Sequence, residues 1–408
     1  MEKPILVERP IYIEQVKGFV DKDFVKVFVG IRRSGKSELL NLIKQEIIKH
    51  SDEAHIIHMN FEKSETFDIK TYVDLARHIE AKMTDGKKYY LFLDEVQEVD
   101  GWEKAVNSLR LMNTDIYITG SNSKLLSSEF ATLLGGRIIT FNVYPLSFKE
   151  FIEFRKTCGI GSGDLGKELD AYIKNGGFPA VSIHDFSDRD IRFTVSNIHN
   201  TALLRDVINR HSVRNPQLLD KIVAFLYDNV GSLVSFSSIT NYLKSNGRKG
   251  TDLETIVNYV KYLEDGFLIR RAQRYDVKGK MLLETNDKYY LTDHSQQYVI
   301  RDFRPDNIAG ILENIVYMEL VRRGYSVYVG KFDKREVDFV AEKIGGAKIY
   351  VQVCYQFTEG VYAREFSPLK EIRDNYPKYV VSIDRFAERN DAGIIGIHLK
   401  DFLLKETL

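Results

Sequence analysis

Val25-Lys26-Val27-Phe28-Val29 runs directly into Gly30-Ile31-Arg32-Arg33-Ser34-Gly35-Lys36-Ser37, and helical apolar spacing then continues from Lys36 to Lys49. A β-branched run, a turn with glycine near both ends and an amphipathic stretch make a strand–loop–helix unit. The octapeptide fulfils G-x-x-x-x-G-K-[ST] in full. Its glycines permit backbone conformations that a Cβ would block, so successive N–H groups can face one anion. The helix that follows presents its positive N-terminal end to the same point. Lys36 can reach the β- and γ-phosphates of a nucleoside triphosphate, and the Ser37 hydroxyl can ligate Mg²⁺. The expected ligands are therefore ATP and Mg²⁺. The expected contacts are Gly30, Ile31, Arg32, Arg33, Ser34, Gly35, Lys36, Ser37 and Glu38.

Working outward, short apolar runs alternate with amphipathic stretches, the rhythm of an α/β domain on a parallel sheet. Further strands are expected at Ala54–Phe61, Tyr89–Leu93, Asp115–Thr119 and Arg137–Val143, with helices at Ile69–Met83, Trp102–Leu111 and Lys124–Leu134. The run Tyr89–Leu93 ends in Asp94-Glu95. A carboxylate at the tip of a buried strand can hold Mg²⁺ through water, which assigns Asp94 to the metal beside Ser37. Glu95, next along, is placed to orient or deprotonate an attacking water. With the additional strand Ala54–Phe61, that glutamate points to ATP hydrolysis rather than phosphate transfer. Ser121 and Asn122 follow the strand ending at Thr119 and are candidates for sensing the γ-phosphate. Arg137, after Gly135-Gly136, has the place of an arginine finger. Trp102 reads as packing.

The bulk composition narrows the class. At 408 residues the chain is long enough for two to four domains, and 44% apolar with 28% charged residues is a globular profile. Lys plus Arg equals Asp plus Glu at 58 each, so overall charge specifies no partner. Cys158 and Cys354 are too few for a disulfide framework or a cysteine zinc site and fit a reducing compartment. Met1–Pro10 has no signal-peptide pattern, and no stretch approaches the roughly 20 apolar residues of a membrane span. The expectation is a cytoplasmic protein without a membrane partner.

Farther along, Ser235 caps an apolar-periodic segment to Leu243. Leu253–Leu263 forms a second helix after a turn containing Gly247 and Gly250, and Leu268–Tyr275 with Met281–Leu291 can make a hairpin around Gly279. Helix, turn, helix, hairpin is the winged helix-turn-helix order. The reading helix is acidic (Asp252, Glu254, Glu264 and Asp265 against Lys261), whereas the hairpin is basic through Arg270, Arg271, Arg274, Lys278 and Lys280. DNA contact through that wing and docking of a protein are both open readings. The terminal region has the skeleton of PD-(D/E)xK nucleases, with Glu313 on a helix, Asp338 on a strand and Gln352-Val353-Cys354 on the next. Gln352 stands where a second metal-holding acid belongs, and Cys354 where a lysine would polarise water. The domain is thus expected to keep the fold and lack nuclease activity.

Taken together, GIRRSGKS, LFLDEVQE, ITGSNSKLLSSE, GGRIITFNVYPLSFKEF and GGFPAV resemble a group of prokaryotic AAA-superfamily ATP-binding proteins whose C-terminal domain is of unknown function. The resemblance covers the whole chain. It implies an ASCE-type P-loop NTPase core at 1–146, a helical lid at 147–214, a winged helix at 215–300 and a restriction-endonuclease-like domain at 301–408. By analogy, the Gly176–Pro179 turn would lie in the lid near the nucleotide. The function expected is a Mg-dependent ATPase that uses ATP to reposition its accessory domains. The alternatives are an ATP-gated DNA-binding protein and a nucleotide-dependent protein-binding switch or scaffold. Arg137 acting in trans would require a homo-oligomer.

Overall fold

A computed structural model describes residues 7–50, 52, 55–121, 123–126, 128–247, 250, 252–300, 308–356, 359–384 and 390–408. The chain divides into two compact units, Met1–Pro145 with Asp265–Phe267, and Leu146–Glu264 with Leu268–Leu408.

The first unit runs α1 (Pro10–Lys17), β1 (Val25–Val29), α2 (Lys36–Ile48), β2 (Ile56–Asn60), α3 (Tyr72–Glu80), β3 (Tyr89–Asp94), α4 (Trp102–Arg110), β4 (Thr114–Gly120), α5 (Ser128–Leu133) and β5 (Ile138–Asn142). Its five strands are all parallel, in the spatial order β2-β3-β4-β1-β5. Every residue of β1 and β3 is buried, as expected of central strands with helices on both faces. The strand separating β1 from β3 in space is β4, which comes last of the three in sequence. Against the sheet Phe28 stacks on Phe141 at 5.0 Å and Phe92 on Tyr117 at 4.8 Å. Trp102 is buried edge-on to Phe130 at 4.5 Å, a packing residue as its sequence context implied. The stretch Lys124–Leu134, expected as one helix, is a 3₁₀ turn at Ser123–Leu126 followed by α5.

The second unit begins with α6 (Phe148–Thr157), α7 (Leu165–Asn175), α8 (Pro179–Ser182) and α9 (Asp188–Ala202), which continues as a π-helical segment over Leu203–Asn209. Next come α10 (Pro216–Asp228), β6 (Leu233–Val234), α11 (Phe236–Ser245), α12 (Leu253–Asp265), β7 (Ile269–Asp276) and β8 (Met281–Leu291). The remainder is α13 (Ile308–Arg322), β9 (Ser326–Phe332), β10 (Arg335–Glu342), β11 (Lys348–Cys354), α14 (Glu359–Glu371), β12 (Lys378–Ser382), β13 (Asn390–Asp391), β14 (Ile394–His398) and α15 (Leu399–Leu404). Among the described residues β6 to β14 form one sheet, ordered β13-β14-β12-β11-β10-β9-β7-β8-β6. The β7–β8 hairpin is therefore not a free flap: β7 pairs in parallel with β9, Arg274 opposite Val329. The Gly176–Pro179 turn is buried within this unit. The Gly177 N–H donates to Asp293 Oδ2 at 2.8 Å, and the Leu146 N–H donates to the Gly177 carbonyl at 2.7 Å. A Cβ on Gly176 would meet Asp293 Oδ1 at 2.2 Å, so glycine is a packing requirement there. Among the described residues no helix is long and apolar enough to cross a membrane.

Candidate functional site

Parallel strands bring their C-terminal ends to one edge, and in the first unit that edge gathers the loop after β1, Asp94-Glu95 after β3 and Ser121 after β4. The loop after β1 must start with glycine, because a Cβ on Gly30 would lie 2.1 Å from the Val143 carbonyl oxygen. Arg33 at φ +67° and Gly35 at φ +93° turn the chain into α2. The Lys36 ammonium, nearly buried, donates to the carbonyls of Gly30 at 3.0 Å and Ile31 at 3.2 Å and lies 3.9 Å from Glu95 Oε1. Ser34 is fully buried, and its Oγ has no hydrogen-bond partner among the described residues. A buried hydroxyl left without a partner is unusual enough to mark a position where a ligand oxygen fits.

The acidic half is held from two neighbouring strands. Thr119 on β4 donates its hydroxyl to Asp94 Oδ1, and Asn60 on β2 donates to Asp94 Oδ2 at 2.6 Å. Glu95 takes a left-handed backbone at φ +54°, rare for a residue with a Cβ, and its N–H donates to Thr119 Oγ1 at 2.8 Å. The Gln97 amide donates to the Glu95 carboxylate. Burial raises the Glu95 pKa, against the opposing pull of the Lys36 and Arg32 charges. A carboxylate held at raised basicity beside a lysine can take a proton from a water.

The expected residues are not all placed alike. Ile31 is buried, so it offers only its backbone to the loop, and Arg33 is exposed. Arg32 is turned to Glu62 at 2.8 Å. Ser37 sits half-buried at the start of α2, and Glu38 is exposed, accepting from Asn41 at 3.3 Å. Ser121 is fully buried at the end of β4, while Asn122 lies outside the described residues. Arg137 is not brought to this edge. Its carbonyl pairs with the Val25 N–H at the opposite, N-terminal end of β1, and its guanidinium is bound to Asp23 at 3.0 Å. A place before a strand parallel to β1 puts a residue at the far edge of the sheet, which removes Arg137 from its own chain's site.

Other residues found here escaped the sequence reading. Arg9, almost wholly buried, donates to the Ser34 carbonyl and to the Tyr144 carbonyl, each at 3.0 Å, and lies over the Tyr12 ring at 4.6 Å. Asn60 and Thr119 are polar residues at or next to the C-terminal ends of β2 and β4, a signal that was visible. Gln97 and Arg9 had none, since only the folded chain shows what they touch.

Comparison with known proteins agrees with this geometry. A family profile described as an AAA domain matches residues 22–152, and one described as a domain of unknown function matches residues 166–305. An uncharacterized protein of Haemophilus influenzae is 40% identical over 98% of this chain and 99% of its own length. The uncharacterized protein MJ1544 of Methanocaldococcus jannaschii is 33% identical over 86% of this chain and 79% of its own. Among solved structures, the Walker-type ATPase PABY2304 of Pyrococcus abyssi superposes with a TM-score of 0.53 at 16% identity, covering 74% of this chain and 97% of that one. Residues 22–152 thus match an AAA domain on a fold shared with a Walker-type ATPase, and this chain belongs to one family with the Haemophilus and Methanocaldococcus proteins.

Proposed function

We propose that the protein binds Mg-ATP and hydrolyses it, using the change of nucleotide state to alter the second unit. The observation that carries this reading is the meeting of Lys36 Nζ and Glu95 Oε1 at 3.9 Å, from two strands that are not neighbours in the sheet. A lysine that would bind phosphate and a carboxylate that would activate water thus share one small space. The residues fit a triphosphate: Ser34 Oγ lacks a partner among the described residues, the Gly30 turn admits no side chain, and Lys36 donates to loop carbonyls that phosphate oxygens can replace. Mg²⁺, held by Ser37 and by Asp94 through water, would screen the phosphate charge. Lys36 and the loop amides hold the phosphates, Asp94 is kept oriented by Thr119 and Asn60, and Glu95 accepts the proton of the attacking water. Ser121 is the sensor residue within this site. Residues 147–214 act as the lid, 215–300 as a winged helix, and 301–408 as a nuclease-like domain without nuclease activity. The element order α10-β6-α11-α12-β7-β8 supports the winged-helix reading.

Two substitutions test the chemistry. Lys36→Ala is expected to abolish Mg-ATP binding in calorimetry, because the phosphate cradle loses its cation. Glu95→Gln is expected to bind Mg-ATP with near-wild-type affinity while turnover falls at least 100-fold, in the range of a lost general base. Wild-type turnover in a folded Glu95→Gln protein would refute the assignment of the base.

Docking of a protein is the second reading, favoured by α12, whose exposed face carries Leu253 and Val257 beside Glu254. DNA binding through the hairpin has less behind it: Arg271 is bound to Asp287 at 2.6 Å, Lys278 is bound to Asp333, and β7 is covered by β9. A gel shift at low salt, with and without Mg-ATP, is expected to show no nucleotide-dependent complex with duplex or single-stranded DNA.

A further inference from the structure

In the second unit a lysine sits where acidic side chains from a helix and a strand converge. Lys288 on β8 is 2% exposed, and its ammonium lies 2.8 Å from Glu313 Oε1 on α13, 2.7 Å from Glu336 Oε1 and 3.8 Å from Asp338 Oδ1 on β10. Tyr290, two residues along the same strand and so on the same face, donates its hydroxyl to Glu313 as well. The other Asp338 oxygen accepts the Val353 N–H at 2.8 Å. Gln352 is used at both ends of its amide: Oε1 accepts the Asp338 N–H at 3.2 Å and Nε2 donates to Glu365 Oε2 at 2.7 Å.

This arrangement does not fit the divalent ion that a nuclease-like skeleton implies. The Gln352 oxygen, where a second acid would stand, is already committed to the backbone. Glu313, Glu336 and Asp338 face an ammonium, whose charge opposes any second cation within a few ångström, and Glu365 is taken by Gln352 and Arg364. Among the described residues no group of three or more His, Cys, Asp or Glu side chains is arranged to hold a metal ion. Access is not what excludes one, since Glu336 and Asp338 also line a cleft of about 700 Å³ together with Gln352 and Glu365.

We propose that Lys288 is a tethered cation in the place of a metal: its ammonium lies among Glu313, Glu336 and Asp338, offsets part of their negative charge and thereby keeps divalent ions out of this cleft. The lysine comes from β8, outside the terminal region that supplies the acids, so the hairpin supplies a cation to the acidic cluster of the segment it pairs with. These contacts carry the proposal whether or not residues 301–408 derive from a nuclease.

The test is Mn²⁺ binding to the full chain without nucleotide, followed by electron paramagnetic resonance and equilibrium dialysis. Wild-type protein is expected to hold no Mn²⁺ that Asp338→Asn removes. Lys288→Met, which keeps the length of the side chain and removes its charge, is expected to gain one site at least tenfold tighter than any in the wild type. Lys288→Arg, which keeps the charge, should gain none. Should Lys288→Met fail to fold, Lys288→Met/Glu336→Gln removes the cation together with one acid and should gain the site through Glu313 and Asp338. Mn²⁺ bound by the wild type and lost in Asp338→Asn would overturn the proposal. So would a folded Lys288→Met or double variant that binds no more Mn²⁺ than the wild type. No nucleotide is present, so the outcome is independent of whether Glu95 hydrolyses ATP.

Discussion

Two guanidinium hydrogen bonds join Arg9 to the carbonyls of Ser34 and Tyr144, and so tie the chain before α1 to the phosphate loop and to the end of β5. Bonds from a charged donor contribute about 1.5–3 kcal/mol each. Arg9→Ala is therefore expected to lower stability by roughly 3 kcal/mol in denaturant unfolding. It should also weaken Mg-ATP binding several-fold, because the loop is no longer held in shape before the nucleotide arrives. Arg9→Lys, with a single nitrogen where two separate ones serve the two carbonyls, should fall between. A second residue sets a pH dependence. The Tyr227 hydroxyl gives its proton to Gln296 Oε1 at 2.8 Å, so at 3.2 Å the neutral His199 ring must donate to Tyr227 from Nδ1. Burial lowers the His199 pKa to about 4, against about 6.5 in an unfolded chain. Unfolding then takes up a proton between those values. Stability is complete above about pH 6.5 and falls as pH drops toward 4, by up to about 3 kcal/mol. His199→Gln keeps a donor for Tyr227 and is expected to flatten the stability curve across that window. An unchanged curve would show that another group titrates there.

Single elements show where sequence reading succeeds and where it stops. The strands of the first unit were legible because each is a short apolar run bounded by turn residues, and the G-x-x-x-x-G-K-S loop fixed which of them begins the site. Their spatial order was less legible: β4 lies between β1 and β3 only because helices on both faces complete the parallel crossovers. In the second unit β10 and β11 were visible as strands, yet the pairing of β7 with β9 was not, since Arg274 and Val329 meet across 55 residues that carry no local signal of each other. Lys288 was hidden for the same reason. β14, whose apolar run is broken by Gly396, and the six-residue α15 were missed. Caps are local and should have been read. Ser147, in the sequence Ser147-Phe148-Lys149-Glu150, closes a reciprocal capping box on α6: its side chain accepts the Glu150 N–H at 3.3 Å, and Glu150 Oε2 accepts the Ser147 N–H at 2.9 Å. Ser147→Ala is expected to lower stability by about 1 kcal/mol, and Ser147→Thr by less than half of that. Equal losses in the two variants, measured in the same urea titration, would show that the hydroxyl does not cap the helix.

For the molecule as a whole, the continuous sheet of the second unit decides which pieces of chain can stand alone. A division at residue 300 follows the change from winged-helix to nuclease-like pattern, but it cuts through a hydrogen-bonded sheet. It would strip β9 from β7 and leave Lys288, buried on β8, without Glu313, Glu336 and Asp338. A buried ammonium without its carboxylates and a long uncovered strand edge are both strongly unfavourable, the second also as a template for aggregation. A chain ending at Ile300 is therefore expected to be insoluble or to unfold non-cooperatively. Replacing Lys288 by Met in that truncated chain removes the unpaired charge and leaves the open edge, so only part of the defect should be relieved. The two causes are separable by solubility and by the sharpness of the urea transition. Full recovery in the Met variant would make the lysine the whole cause, and no recovery would leave the edge responsible. A soluble, cooperatively folding chain ending at Ile300 with Lys288 intact would mean that β7 and β8 need neither β9 nor the acidic cluster. The hairpin would then be an independent module, as the sequence pattern alone implies.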